Sequence, residues 1–213
     1  MFHLLTVEAL EAAFLSLSRK AAAGVDGIRW MDYAGNMKNN ITDLHRRLHQ
    51  GSYRAQPGRR HYIPKADGKQ RPLGIASLED KIVQYALVKI LNAVYENDFM
   101  GFSYGFRPRA KPARCTGRTG HRAGTHQRKL GTDADISQFF DRAGTSGVIR
   151  FAGHRMAAGG NRGSYVSGSS RDVGGEFNGE QRRKALTGAV SSPLLANICL
   201  HNVFDLWAHQ WRR

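Results

Sequence analysis

"HYIPKADGKQRPLGIASLEDKIVQYALVKILNAVYEND", residues 61 to 98, carries two signals of different period in direct succession. Its first part sets β-prone runs on either side of Asp67-Gly68, a pair that predicts a hairpin because glycine takes a positive φ without steric cost. Pro64 and Pro72 have no N–H to give to a ladder, so this hairpin is expected at a sheet edge. The second part opens with Ser77 and, three residues on, Asp80, the spacing of a helix-capping pair. Ile82, Val83, Ala86, Leu87, Ile90, Leu91, Val94 and Tyr95 then recur on one wide face, which predicts a long amphipathic helix.

Lys65 and Arg71 flank the turn. With a three-residue loop they share one face, an arrangement of like charges that is unfavourable until an anion such as a triphosphate lies between them. With a two-residue loop they face opposite ways and the segment is merely a soluble basic hairpin. Both registers stay open from the residues themselves.

Towards the amino terminus, Leu4, Val7, Leu10, Phe14 and Leu17 predict a helix within 4–20, and Ile41, Leu44 and Leu48 predict another that Gly51 stops. "AAGVDGIRW" between them reads as a turn. Towards the carboxyl terminus, "SSPLLANICLHNVFDLWAHQW" predicts a helix capped by Ser192 with Pro193 in its first position. Leu194, Leu195, Ile198, Phe204, Trp207 and Trp211 are expected on its apolar face. Between these ordered parts, "RAKPARCTGRTGHRAGTHQR" (109–128) has five arginines, one lysine and no acid, and nothing aliphatic larger than alanine. Such a stretch cannot bury enough surface to offset its ordering entropy, and disorder is expected. Residues 142–183 are almost as poor in core-forming side chains.

The whole chain of 213 residues has a formal charge of +15, a field whose commonest partner is a polyphosphate backbone. Its 41% hydrophobic content still allows a real core. Cys115 and Cys199 cannot build a disulfide framework and no CxxC pair suggests zinc, so a reducing cytoplasm is the expected setting. Cys115, His121 and His126 lack the paired spacing of a zinc site, and no zinc is expected. Glu8 and Glu11 interrupt an apolar start that also lacks a basic leader, which argues against a signal peptide, and no membrane span is expected.

"LGTDADISQFFD" (130–141) places Asp133, Asp135 and Asp141 in an apolar stretch. On a strand, 133 and 135 share a face, and Asp135 near the strand end could reach a hard cation such as Mg²⁺. The other reading is a set of solvated acids capping the next helix. "GFSYGFRPRA" suits either nucleic-acid contacts or an ordinary packed loop, and by itself favours packing.

Taken in order, "AAGVDGIRW", "YIPKADGKQRPLGI", "LEDKIVQYAL", "FSYGFRP", "DADISQFFD" and "SPLLANICLHNVFDLW" resemble the amino-terminal part of group II intron reverse transcriptases, also called maturases. The resemblance implies an α+β polymerase right hand with a helix-rich amino-terminal half. It divides the chain into an amino-terminal extension and fingers (1–108), a basic disordered insert (109–128) and a partial, degenerate palm with an antiparallel sheet (129–213). It implies that Lys65 and Arg71 grip the triphosphate of a dNTP. It further implies that Asp135 is a catalytic metal ligand joined by the carbonyl of Ile136, and that Phe140 abuts the sugar and excludes a 2′-hydroxyl. The implied partners are group II intron RNA, an RNA template and dNTPs, with Mg²⁺ as cofactor.

Three departures accompany it. The family's remaining metal ligands lie in a Tyr-Ala-Asp-Asp hairpin, and these 213 residues contain no Asp-Asp pair. Leu186-Thr187-Gly188 stands where the family has Pro-Gln-Gly. Residues 109–128 and 157–183 replace regular elements with Gly, Ser and Arg, which suggests compensating frameshifts in the coding DNA. The expectation is a truncated, decayed reverse transcriptase, unable to polymerise alone because two Mg²⁺ ions cannot be seated. A non-catalytic intron-RNA-binding module and a non-functional product are the alternatives.

Overall fold

In the computed structural model the described residues are 2–64, 68, 70–108, 136, 139 and 189–211. They form an α+β assembly in which helices carry the core and one small sheet projects from it. Helix α1 (Val7–Ser16) starts where Thr6 Oγ1 accepts from Ala9 N, at 3.2 Å, and ends at Leu17, whose backbone turns extended. It is therefore shorter than the 4–20 pattern, and Phe2–Leu4 forms a separate 3₁₀ turn. Helix α3 (Met37–His49) begins four residues before its first predicted apolar position and is followed by Gly51 at φ 68°. Between them lies a short helix, α2 (Trp30–Ala34), which the glycine-rich sequence did not announce. Its start is held by Asp32 Oδ2, which accepts from Arg29 N at 3.0 Å.

Helix α4 (Leu78–Tyr95) packs against α1. Leu10 and Phe14 of α1, Ile41 and Leu44 of α3, and Ile82 of α4 are fully buried together. Trp30 of α2 stacks on Phe14 with ring centroids 4.6 Å apart, and its indole N–H donates to the Phe14 carbonyl at 3.2 Å. Burying such a side chain contributes roughly 2–3 kcal/mol, and the indole bond satisfies the one polar atom that burial would otherwise strand.

The carboxyl-terminal half of α4 supports a second cluster. Leu91, Tyr95 and Phe99 meet Leu194 and Ile198 of α5 (Ser192–Leu200). The cap of α5 is Ser191 and its first residue is Ser192, one place earlier than expected, so Pro193 is the second helical residue. The helix then loosens into a π turn at His201–Asp205 before α6 (Leu206–Trp211). Here the expected apolar face divides: Leu194, Leu195 and Ile198 are buried, but Phe204, Trp207 and Trp211 are 53%, 52% and 78% exposed. A 3.6-residue period explains the split, because those three aromatics fall on a stripe of their own, away from that of Leu194 and Ile198.

Strands β1 (Arg59–Pro64) and β2 (Gln70–Ile75) pair antiparallel, from Arg59↔Ile75 to Pro64↔Gln70. Among the described residues each strand has one partner and so is an edge, which accommodates Pro64 and Pro72. The expected palm strands lie outside the described residues.

Candidate functional site

The hairpin is the element on which the expected nucleotide contacts were placed. Its register sets Arg71 opposite Ile63, and Gly68 has φ 76°. Most of β1 is exposed, with Tyr62 and Ile63 nearly half accessible, so little burial holds the hairpin in place.

Its root is built differently. Asp80, in the first turn of α4, is buried, and its carboxylate gathers three donors from both sides of the hairpin. Gln56 N, just ahead of β1, donates to Oδ2 at 3.0 Å, and Ser77 Oγ, just behind β2, donates to the same oxygen at 2.7 Å. The Tyr53 hydroxyl donates to Oδ1. Asp80 N in turn donates to Ser77 Oγ at 3.2 Å, which caps the helix as the sequence predicts. Burial raises the Asp80 pKa, and the three donors oppose that rise without cancelling it. Burial likewise raises the Tyr53 pKa far above the ordinary phenolic range, with Asp80 next in effect, so Tyr53 stays a donor.

The loop before α2 closes on the same root. Lys81 Nζ donates to the Ala22 carbonyl at 2.7 Å, and burial lowers its pKa. A Cβ on Gly24 would lie 2.5 Å from Ser77 Cα, so only glycine lets the two backbones approach this closely. Beside the root, Ala22, residues 73–76, Lys81, Gln84 and Val190 line a cleft of about 220 Å³. Gln84 Oε1 accepts from Val190 N at 3.1 Å and ties the segment ahead of α5 to α4.

Arg107 of the "FSYGFRP" loop is committed to structure. Its guanidinium meets the Glu96 carboxylate at 2.8 Å, donates to the Met100 and Ser103 carbonyls at 3.0 and 2.8 Å, and lies over the Phe99 ring. The packing reading of that loop fits these contacts.

Of the site residues expected from sequence, Ile136 is described and is 54% exposed. Arg71 is described in its backbone, within β2. Lys65, Asp135 and Phe140 lie outside the described residues, as do Asp133, Asp141, Cys115, His121 and His126. Among the described residues no group of three or more His, Cys, Asp or Glu could hold a metal ion. Among them, too, no helix is long and apolar enough to cross a membrane. The sequence marks Asp80 only as the capping partner of Ser77, and it gives Lys81 and Gln84 no individual role. The buried acid and amide in an otherwise apolar helix were the available signal.

Residues 63–212 match the family described as reverse transcriptase (RNA-dependent DNA polymerase). The chain is 32% identical to the protein YkfC of Escherichia coli over 216 aligned residues, covering 94% of this chain and 54% of that protein. It is 36% identical over 107 residues to the group II intron-encoded protein LtrA of Lactococcus lactis, covering 50% of this chain and 18% of LtrA. A 91 kDa protein in the cob intron of Schizosaccharomyces pombe is 32% identical over 161 residues, 69% of this chain and 18% of that protein. The chain thus spans about half of one curated relative and less than a fifth of the others. It belongs to the reverse transcriptase (RNA-dependent DNA polymerase) family and, within it, is similar to group II intron-encoded proteins.

Proposed function

We propose that these residues form the nucleotide-gripping fingers and part of the palm of an RNA-directed DNA polymerase acting on group II intron RNA. In this reading 1–108 is the extension and fingers, 109–128 a basic insert and 129–213 a partial palm. Lys65 and Arg71 bind the triphosphate of the incoming dNTP, Phe140 lies against its sugar, and Asp135 with the Ile136 carbonyl holds Mg²⁺. The observation that carries the grip is the hairpin register. Arg71 pairs with Ile63, and Lys65 stands two residues on from Ile63 in the sequence, the spacing at which side chains of a strand share a face. Two cations on one face favour an anion between them.

By themselves these 213 residues bind nucleotide and do not transfer it. In-line phosphoryl transfer uses two divalent ions held by several carboxylates, and no Asp-Asp pair is present in this sequence. The test is titration of dTTP with MgCl₂ into the chain and into a Lys65→Ala, Arg71→Ala double variant. Measurable binding that falls at least tenfold in the double variant is expected, and equal binding by both would refute the grip.

The formal charge of +15 favours a second reading, a non-catalytic module that holds intron RNA. Preference for structured intron RNA over random duplex at equal salt supports that module. Steep salt dependence without preference reduces it to plain charge attraction.

A further inference from the structure

A hairpin of two strands with little burial does not hold its own direction, and isolated two-stranded ribbons are at best marginally stable in water. Any site carried at its tip inherits that freedom unless the root is fixed. In this chain both strands emerge from one point. Gln56 precedes β1 by three residues, Ser77 follows β2 by two, and both donate to the same oxygen of Asp80, at 3.0 and 2.7 Å. Tyr53 adds a third donor from the incoming segment. Helix α4 anchors the carboxylate, since Leu78, Ile82 and Val83 around it are buried in the main core.

We infer that Asp80 is a positioning residue for the nucleotide grip: its buried carboxylate pins the two ends of the β1–β2 hairpin together and fixes the direction in which the hairpin leaves α4. This inference rests on the grip proposed above for Lys65 and Arg71. A helix cap alone requires only the bond from Asp80 N to Ser77 Oγ. The bonds from Gln56 and Tyr53 do nothing for capping, and they reach across 24 and 27 residues to the other side of the hairpin. An asparagine at position 80 keeps the helix and most of the volume, but its amide is uncharged and offers one acceptor oxygen where the carboxylate offers two, so the three bonds cannot all persist as they are.

The experiment compares the chain with Asp80→Asn and Tyr53→Phe by amide hydrogen exchange and by dTTP binding with MgCl₂. Hydrogen bonds to a buried charge are strong enough that Asp80→Asn is expected to speed exchange in 59–64 and 70–75 roughly tenfold or more. Exchange in α1 and α3 should stay unchanged, and dTTP affinity should fall by a similar factor. Tyr53→Phe, which leaves the Gln56 and Ser77 bonds in place, should do the same to a smaller extent. Unchanged hairpin exchange and affinity in Asp80→Asn would overturn the inference. Were Asp80→Asn to loosen the whole core, Tyr53→Phe decides: acceleration confined to the hairpin supports the inference, and none or a global one overturns it. Failure of the unsubstituted chain to bind dTTP refutes the grip and not the clamp, which the exchange data then decide by themselves.

Discussion

Gly24 and Asp80 show how single residues fix the root of the hairpin. Gly24→Ala places a methyl group against the Ser77 backbone, which cannot swing aside as a side chain could. The expected cost is about 1–3 kcal/mol, read from the urea midpoint, even though alanine is otherwise the milder residue. Asp80 makes a prediction in pH. Its pKa in the fold is raised, chiefly by burial, so the folded chain binds that proton more readily than the unfolded one. Between the two values stability rises as pH falls. Relative to Asp80→Asn, which does not titrate, the unsubstituted chain should therefore gain stability as pH drops from 7 towards about 4. A gap that stays constant or shrinks over that range would show that the donors, not burial, control the carboxylate. The Ser77–Asp80 spacing was legible in sequence because capping is local. The Tyr53–Asp80 bond was not, because no local pattern links side chains 27 residues apart.

Among the elements, α4 and the hairpin followed their sequence patterns closely. The turn glycine sits at the φ that the Asp67-Gly68 pair implies, and Gly68→Val should loosen the hairpin, since a β-branched residue resists that region. Faster exchange confined to β1 and β2 would register it. The α5–α6 segment was only half legible. Its apolar residues suggested one buried face, whereas period and the π turn leave Phe204, Trp207 and Trp211 exposed, with neighbouring ring centroids 5.9 and 5.8 Å apart. A π turn depends on how neighbours pack, which residue periodicity does not encode. The chain has three tryptophans, and Trp30 is the one in the core. Iodide should accordingly quench most of the emission, and a Trp207→Phe, Trp211→Phe double variant should leave a blue-shifted, shielded remainder. Equal shielding before and after substitution would contradict the exposed stripe. Position 107 carried an ambiguity that only contacts resolve: an arginine between aromatics reads as a nucleic-acid ligand until its guanidinium is found on Glu96.

At the scale of the molecule, the described residues form two hydrophobic clusters joined along α4 that support one projecting hairpin, and the whole chain carries a formal charge of +15. The family was legible because its motifs are long and ordered, whereas the proposed metal ligand Asp135 lies outside the described residues. Charge predicts that binding to structured RNA weakens steeply with salt, with a slope of log K against log salt that counts the phosphates contacted. A flat dependence would deny the positive field a role in binding. The central claim is that this stretch grips a nucleotide without completing the two-metal centre. Primer extension on an RNA template, with dNTPs and Mg²⁺ and the 213-residue chain as the only protein, tests it most directly. The account predicts no extended product; extension that disappears on Asp135→Ala would contradict it.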